Sequence, residues 1–263
     1  MGGRSDALDG AFVIVFDMCV FGGIVLLLTE ISSLVYLLNH PLFIVLFICY
    51  LSSSFLTAAL HYRVVHSNPG ILAPLQSLQG TPCPHCAAPT LVRSHHCKSC
   101  GCVARFDHHC FWVNNCIGEG NHARFLLFLW AGSAFIILQV LVDNVILASK
   151  PAQESNFIEI HIILLAQMLC TVVVGFFLLG LTAFHTYLAA TGLTTYEVLK
   201  ADTIPYMTLG MPFFEGPGPT LVRFFTMDRS WPSTWTPRRY EGAVSDVMRV
   251  VMKVVDNEYY SCC

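Results

Sequence analysis

The sequence predicts an all-α polytopic membrane protein with four transmembrane helices and a cysteine-rich cytosolic module between helices 2 and 3. Of the 263 residues, 55% are hydrophobic and only 12% are charged, which is about half the charged fraction of an average soluble domain. The chain has four long apolar stretches, and most of its 12 cysteines lie in one loop. Intrinsic disorder and a coiled coil are therefore excluded for the whole chain. A net charge of −3 also gives no field that attracts nucleic acid.

Each apolar stretch reaches the length of about 20 residues that a membrane-spanning helix needs. The predicted spans are Ala11–Tyr36, Pro41–Tyr62, Phe125–Ala148 and Ile158–Ala190. Asp17, Glu30 and Asp143 lie within these spans, where ionisable groups are costly and often functional. We expect Glu30 and Asp143 to reach the membrane interface. For Asp17 a functional role and a helix that begins one turn later both stay open.

The distribution of Lys and Arg predicts the orientation of the chain. Four crossings place residues 1–10, 63–124 and 191–263 on one side, and these segments hold thirteen of the fourteen Lys and Arg residues. We therefore expect both termini and the cysteine-rich loop to face the cytosol. The predicted domains are the cytosolic N-terminus 1–10, the helix pair 11–62, the cysteine-rich domain 63–124, the helix pair 125–190 and the cytosolic tail 191–263.

Two features of the tail have alternative interpretations. In Gly242–Val255, Val and Met recur at helical spacing, which predicts a short amphipathic helix on the membrane surface or against the cytosolic module. The chain ends in Cys262-Cys263, which is either a lipidated anchor or a thiol pair without a role. Because four spans already hold the chain in the membrane, the second interpretation is favoured.

Seven cysteines lie between Cys83 and Cys116, interspersed with histidines. The pattern reads Cys83-x2-Cys86-x9-His96-Cys97-x2-Cys100-x-Cys102-x4-Asp107-His108-His109-Cys110-x-Trp112-x3-Cys116. Two cysteines separated by two residues can grip one metal ion from a tight turn, as in zinc ribbons. Two such pairs with further Cys and His ligands indicate a module with two zinc ions. Two closed zinc sites need eight ligands, and the seven cysteines together with the histidines supply more than eight, so a cysteine can be spare.

A spare thiol within Asp107-His108-His109-Cys110 has the features of a nucleophile. An aspartate can orient a histidine and stabilise its charge, and that histidine can take the proton of a nearby thiol. An imidazolium nearby also lowers the pKa of a cysteine and favours the reactive thiolate. Without Asp107 and Cys110, a structural zinc module that presents a protein-binding surface would be the better interpretation.

This four-residue motif, in a cysteine-rich loop between the second and third of four spans, resembles the DHHC protein S-acyltransferases, or palmitoyltransferases. The residues that agree further with the family are Arg93-Ser94, His96-Cys97, Trp112, Asn115-Cys116-Ile117-Gly118, Asn121, Phe125 and Thr194-Thr195-Tyr196-Glu197, which is similar to the TTxE motif. The resemblance covers about residues 11–200. The chain departs from the family by a single residue, Gly101, between Cys100 and Cys102, and by Phe111 in place of proline.

The resemblance implies a role for each of these residues. Cys110 would accept a fatty acyl group from acyl-CoA, His108 would be its general base, and Asp107 would orient His108. Thr195 would touch Asp107, and Trp112 would support the site. The implied ligands are Cys83, Cys86, His96 and Cys102 for one zinc ion, and Cys97, Cys100, His109 and Cys116 for the other.

The implied reaction transfers a long-chain acyl group, usually palmitoyl, to Cys110 and then to a cysteine of a cytosolic or membrane-associated protein. The family also implies two Zn²⁺ ions per chain, palmitoyl-CoA as co-substrate, the lipid bilayer as a partner and an endoplasmic reticulum or Golgi membrane as location. An accessory subunit is left open, and nucleic acid is not expected as a partner. The candidate contacts for the phosphates of CoA are Arg93, Lys98, Arg105 and Arg124.

Other interpretations remain beside the enzyme. A non-catalytic zinc-bearing adaptor would not need Cys110, and a family member without activity would retain the motif. A transporter is disfavoured because the spans lack paired charges and matching broken helices. Among the remaining histidines, we expect His122 to be solvated and His161 and His185 to be interfacial or bonded to the backbone.

Overall fold

A computed structural model describes residues 40–74, 81–149, 157–226 and 235–239. Several predicted features lie outside these residues: the segment 1–10, the first span Ala11–Tyr36 with Asp17 and Glu30, the helix Gly242–Val255 and the pair Cys262-Cys263. The described residues fall into two compact units. The first comprises the described residues of the ranges 1–62 and 127–183, and the second comprises those of the ranges 63–126 and 184–263.

Three long apolar helices form the frame of the described chain: α1 (Pro41–Val65), α2 (His122–Ser149) and α3 (Phe157–Thr191). Each contains a segment that is long and apolar enough to cross a membrane. They correspond to the second, third and fourth predicted spans. The protein is thus a mainly helical membrane protein by the length and composition of these helices, and the total of four spans stays a prediction.

Within the first unit, a polar pair is buried on α2. Asp143 is only 3% exposed, and its Oδ1 accepts a hydrogen bond of 2.7 Å from Nε2 of Gln139, one helical turn earlier. Asp143 is therefore buried within the protein, and its depth relative to the membrane interface stays a prediction. An interior carboxyl group requires a polar partner, and the amide of Gln139 supplies one.

The second unit contains two small antiparallel hairpins. Strand β1 (His95–Cys97) pairs with β2 (Gly101–Val103), and β3 (His108–Cys110) pairs with β4 (Asn115–Ile117). The chain is therefore not all-α, because the cysteine-rich module contains these four strands. Each has three residues, which is too short for a hairpin to be stable alone in water. Other links must hold the hairpins in place.

One of these links joins the second hairpin to the end of α1. The amide Nδ2 of Asn115 donates to the backbone oxygens of Val64, Val65 and Ser67 over 2.9–3.3 Å. The last carbonyls of a helix have no partner within the helix, so Asn115 satisfies groups that would otherwise stay unpaired. Close packing follows at Gly118, where a Cβ atom would lie only 2.5 Å from a side chain of β2.

Three short helices complete the described part of the second unit: α4 (Thr195–Leu199), a 3₁₀ helix (Pro205–Leu209) and α5 (Pro217–Thr226). Helix α4 begins four residues after α3 ends, and it carries most of the Thr-Thr-x-Glu segment. Its position decides where Thr195 lies.

Candidate active site and metal centres

Strand β3 separates the three residues of the His-His-Cys segment onto two faces. Successive side chains of a strand point in opposite directions, so His109 points away from His108 and Cys110. Across the hairpin, His109 lies opposite Cys116, and both belong to one group of potential metal ligands. A potential ligand can therefore sit between two candidate catalytic residues without competing with them.

Two groups of side chains in the second unit can hold a metal ion, and each consists of three cysteines and one histidine. The groups are Cys83, Cys86, His96 and Cys102, and Cys97, Cys100, His109 and Cys116. Within each group the ligand atoms lie within 4.8 Å of one another. Cys110 belongs to neither group, so it is the spare cysteine of the described module.

The distances within these groups fit zinc. Nδ1 of His96 lies 3.6 Å from Sγ of Cys83 and 3.7 Å from Sγ of Cys102. In the second group, Nδ1 of His109 lies 3.4–3.6 Å from the three sulfur atoms. A tetrahedral zinc ion with usual bond lengths separates its nitrogen and sulfur ligands by about 3.6 Å. Both the donor atoms and their spacing therefore suit Zn²⁺.

The cross-strand register explains why the two ligand groups interleave along the sequence. In the first hairpin His96 lies opposite Cys102, and both belong to the first group, while Cys97 points to the other face and joins the second. Gly101 begins the return strand with a φ of +86°, which glycine adopts without steric cost. The short spacing between Cys100 and Cys102 is accommodated there, because these two cysteines belong to different groups.

Asp107 is the most heavily bonded group of the candidate active site. It is buried, and its carboxylate accepts hydrogen bonds from the backbone N–H of Thr195 (2.8 Å), the Thr195 hydroxyl (2.8 Å) and Nδ1 of His108 (2.7 Å). Burial alone would raise the pKa of Asp107, but the nearby imidazole of His122 and the bond from His108 outweigh it. The pKa therefore lies well below its usual value, and Asp107 is ionised at neutral pH.

His108 connects this carboxylate to the candidate nucleophile. Burial would lower the pKa of His108, but hydrogen bonds to Asp107 and Cys110 outweigh it and raise the pKa to about 9. Since Nδ1 is bonded to Asp107, Nε2 is the nitrogen left for Cys110. The three side chains therefore form the order carboxylate, imidazole, thiol that nucleophilic cysteine chemistry uses.

Thr195 is held in place by the first turn of α4. The hydroxyl of Thr194 accepts from the N–H of Glu197 (3.2 Å), and Oε2 of Glu197 accepts from the N–H of Thr194 (2.9 Å). This reciprocal arrangement is a capping box. It fixes the helix start, so that both the N–H and the hydroxyl of Thr195 point at Asp107.

Glu197 is anchored in turn by a buried ion pair with Arg93. Nε and Nη2 of Arg93 each donate to one oxygen of Glu197 over 2.7 Å. Nη2 also donates to the backbone oxygen of Gly192 (2.7 Å), and the guanidinium lies over the rings of Phe213 and Trp235. Arg93, which lies between Cys86 and His96 in the sequence, therefore secures the Thr-Thr-x-Glu turn.

The structure narrows the candidate contacts for CoA. Arg93 and Arg105 are 5% and 1% exposed, and their guanidinium groups are bonded within the protein. Burial and these internal bonds therefore disfavour Arg93 and Arg105 among the four candidate contacts for CoA phosphates. Lys98 is exposed and Arg124 is half-buried, so both stay candidates.

Trp112 lies beside the site without entering its hydrogen-bonded series. The residue is 40% exposed, and its ring packs against that of Phe111 at an interplanar angle of 32°, with ring centroids 4.6 Å apart. Phe111 and Trp112 thus form an exposed aromatic pair directly after Cys110. Aromatic rings of this kind are enriched at the membrane–water interface.

Two buried histidines near the site were missed by the sequence analysis. His122 and His185 are each 1% exposed, so the expectation of a solvated His122 was wrong. The depth of His185 relative to the membrane interface stays a prediction. Nε2 of His122 lies 3.2 Å from Nδ1 of His185, and Nδ1 of His122 lies 3.1 Å from Nη1 of Arg105. A costly ionisable residue within an apolar helix was the signal that could have identified them.

These features define a membrane protein with two Cys₃His groups that can each hold a metal ion, and with an aspartate, a histidine and a cysteine linked in one series. Residues 76–202 match the sequence model of the family described as DHHC palmitoyltransferase. Residues 76–202 of the chain therefore belong to the DHHC family.

Curated proteins of this family resemble the chain in part of their length. It is 42% identical over 118 residues to palmitoyltransferase ZDHHC18 of Mus musculus, which covers 42% of this chain and 30% of the relative. It is 35% identical over 144 residues to palmitoyltransferase ZDHHC4 of Bos taurus, covering 46% of this chain and 42% of the relative. For palmitoyltransferase pfa3 of Aspergillus fumigatus the identity is 35% over 123 residues, covering 45% and 22%. The chain thus spans less than half the length of these relatives.

Proposed function

We propose that this protein is a protein-cysteine S-palmitoyltransferase that carries a long-chain acyl group from acyl-CoA to protein cysteines through an acyl-Cys110 intermediate. The observation that carries the proposal is the series Asp107, His108 and Cys110, placed beside two metal groups but outside both. A non-catalytic zinc-bearing adaptor would need the metal groups alone. The names of the relatives support the same activity.

In the first step, Nε2 of His108 takes the proton of the Cys110 thiol, and Asp107 stabilises the imidazolium that results. Sγ of Cys110 then attacks the carbonyl carbon of the acyl-CoA thioester. The bond between that carbon and the sulfur of CoA breaks, and the CoA thiolate takes up a proton as it leaves. A cationic imidazole beside a thiol favours this chemistry, since the thiolate is the nucleophile.

The second step repeats the first with a different thiol. A cysteine of the acceptor protein loses its proton to His108 and attacks the acyl-Cys110 thioester. The acceptor becomes the S-acyl product and Cys110 returns to a thiol. Each step exchanges one thioester for another, so no oxidant, reductant or energy source is needed.

In this proposal the two metal groups hold Zn²⁺ and act as cross-links. The ions would supply structural bonds between segments that are too short to fold alone. By holding His109 and Cys116, one group would fix strand β3 and thereby the positions of His108 and Cys110 on its other face.

In this proposal the acyl donor binds beside the helix ends that adjoin His108. His122 and His185 belong to apolar helices α2 and α3, and the ring of His185 lies 5.7 Å from the ring of His108. The site is therefore built against the cytosolic ends that the orientation predicts for these helices. Each CH₂ group of an acyl chain gains about 0.8 kcal/mol on leaving water, which favours a nucleophile at this level.

Further parts of the proposal concern the whole protein. They comprise the four spans with the domain bounds 1–10, 11–62, 63–124, 125–190 and 191–263, both termini in the cytosol, and an endoplasmic reticulum or Golgi membrane as location. Lys98 and Arg124 are the proposed contacts for CoA phosphates. Acceptor proteins with accessible cysteines are the proposed partners. Activity that occurs only together with a co-purified partner would identify an accessory subunit.

The test uses purified full-length protein incubated with alkyne-tagged palmitoyl-CoA, followed by detection of hydroxylamine-sensitive label. We expect label on the wild type and on Cys170→Ser, a control cysteine exposed on α3, and no label on Cys110→Ser. Zinc content and melting temperature of all three proteins show that folding is retained. A folded, zinc-replete wild type that stays unlabelled, alone and with a co-purified partner, would contradict the enzyme and favour the adaptor.

A further inference from the structure

We propose that Arg105, His122 and His185 form a hydrogen-bonded chain that positions the imidazole of His108, and that this cluster is not a third metal centre. The inference rests on the proposed function, because it assigns three further residues to the same site. It makes them positioning residues, since the reacting atoms belong to Cys110 and the acyl donor.

The donors and acceptors of this chain can be assigned from chemistry. Arginine has only N–H donors, so Nδ1 of His122, 3.1 Å from Nη1 of Arg105, is the acceptor. A neutral imidazole that accepts at Nδ1 carries its proton on Nε2. Nε2 of His122 therefore donates to Nδ1 of His185 over 3.2 Å, and His185 in turn carries its proton on Nε2. One buried guanidinium thus fixes the tautomers of two histidines.

The hydrogen-bonded chain ends at His185, next to the proposed general base His108. The ring of His185 lies 5.7 Å from the ring of His108, and the ring of Phe125 lies 5.6 Å from His108 and 5.0 Å from His185. Asp107 holds His108 at one nitrogen only. Packing against the rings of His185 and Phe125 restrains the remaining rotation of the imidazole, and hydrogen bonding to His122 restrains His185.

Arg105, the first residue of the hydrogen-bonded chain, is itself held in place by the surrounding protein. Arg105 is fully buried, and its Nη2 also donates to the backbone oxygen of Leu193 over 3.3 Å. Its backbone has a φ of +42°, in the left-handed region that side chains other than glycine seldom adopt. Such strain persists where the surroundings over-determine a conformation, and it concentrates at functional sites.

The same contacts argue against a metal ion bound by Asp107, His122 and His185, although their ligand atoms lie within 4.8 Å of one another. The lone pair of Nδ1 in His122 is occupied by the hydrogen bond from Arg105. Both oxygens of Asp107 already accept hydrogen bonds. A cation there would also face the buried positive charge of Arg105.

The first experiment compares His185→Asn with His185→Leu in single-turnover acylation by palmitoyl-CoA. Asparagine retains an acceptor near the position of Nδ1, whereas leucine fills the apolar space better but leaves the N–H of His122 without a partner. We expect His185→Leu to slow acyl-enzyme formation by about tenfold to a hundredfold, with KM little changed, and His185→Asn to be clearly faster than His185→Leu. The exposed His66 supplies the control His66→Asn, which should match the wild type.

A purely structural role for His185 predicts the opposite order, with the leucine variant at least as active as the asparagine variant, and that order would overturn the proposal. Zinc analysis gives a second outcome. We expect two zinc ions per chain in the wild type and in both variants. Three ions in the wild type, falling to two in His185→Asn, would establish a metal centre instead.

A readout that does not need activity tests the tautomers. In ¹⁵N NMR of histidine-labelled protein, assigned by loss of signals in His122→Asn and His185→Asn, both residues should be neutral with the proton on Nε2. A proton on Nδ1 of His122 would contradict the proposed hydrogen-bonded chain. This NMR result does not depend on acylation. It can therefore contradict the hydrogen-bonded chain of Arg105, His122 and His185 while leaving the proposed enzyme activity intact, and that activity is tested by Cys110→Ser.

Discussion

Thr195 contributes two of the three hydrogen bonds that Asp107 accepts, one from its backbone and one from its hydroxyl. Thr195→Val removes only the hydroxyl bond. A hydrogen bond to a charged group contributes about 1.5–3 kcal/mol, so we expect acyl-enzyme formation to slow by roughly 10–100-fold. Thr195→Ser retains the hydroxyl and should stay close to the wild type in the same single-turnover assay. Equal rates for the valine and serine variants would contradict a role for this hydroxyl in holding Asp107.

At the residue scale, contacts between residues close in the sequence can be predicted from it, whereas contacts that depend on burial cannot. Asp107, His108 and Cys110 are close in the chain, so strand alternation suffices to relate them. His122 and His185 are 63 residues apart, and only packing brings them together. Arg93 is a second example. From the sequence, an arginine in a polar loop is interpreted as a surface charge, because its partner Glu197 lies 104 residues away.

Two ion pairs in the second unit differ in burial and should differ in their effect on stability. Arg93–Glu197 is buried and bidentate, while Arg223–Glu215 has one bond of 3.0 Å and side chains about one-third exposed. Removing one partner of a buried pair costs about 3–5 kcal/mol, because the other charge stays buried and unpaired. We therefore expect Glu197→Ala to lower the melting temperature in detergent strongly. Glu215→Ala is the matched control, since an exposed pair contributes about 0–1 kcal/mol; similar shifts for both variants would contradict the structural assignment.

At the scale of elements, the long helices were predictable and the strands were not. The apolar stretches that predicted spans over 41–62, 125–148 and 158–190 correspond to helices Pro41–Val65, His122–Ser149 and Phe157–Thr191. The length of the apolar stretches was enough to predict these helices. The hairpins have three-residue strands composed largely of Cys, His and Gly, so neither β-propensity nor alternation of apolar residues marks them. Their register follows from the metal groups and the turns instead.

For the whole molecule, the two compact units differ in what stabilises them. Long apolar helices dominate the described residues of the first unit. In the second unit, both potential metal groups and both short hairpins occur together. A module with such short strands cannot obtain enough stability from backbone pairing, so bound metal supplies folding free energy in proteins of this kind.

This difference predicts a selective response to metal removal. Treatment with a strong chelator should abolish acylation of Cys110 and make the cysteines of the two metal groups reactive to a thiol reagent. Most of the helical circular dichroism should remain, because helices α1, α2 and α3 contain no residue of either metal group.

Zinc added back to freshly stripped protein should restore activity, with two ions per chain measured by elemental analysis. Cys83→Ser should reproduce the loss in part, whereas Cys49→Ser, which alters an exposed cysteine of α1, should not. Chelation that removes the zinc and leaves acylation intact would contradict the proposed role of the ions in holding strand β3, because the candidate general base and nucleophile both lie on that strand.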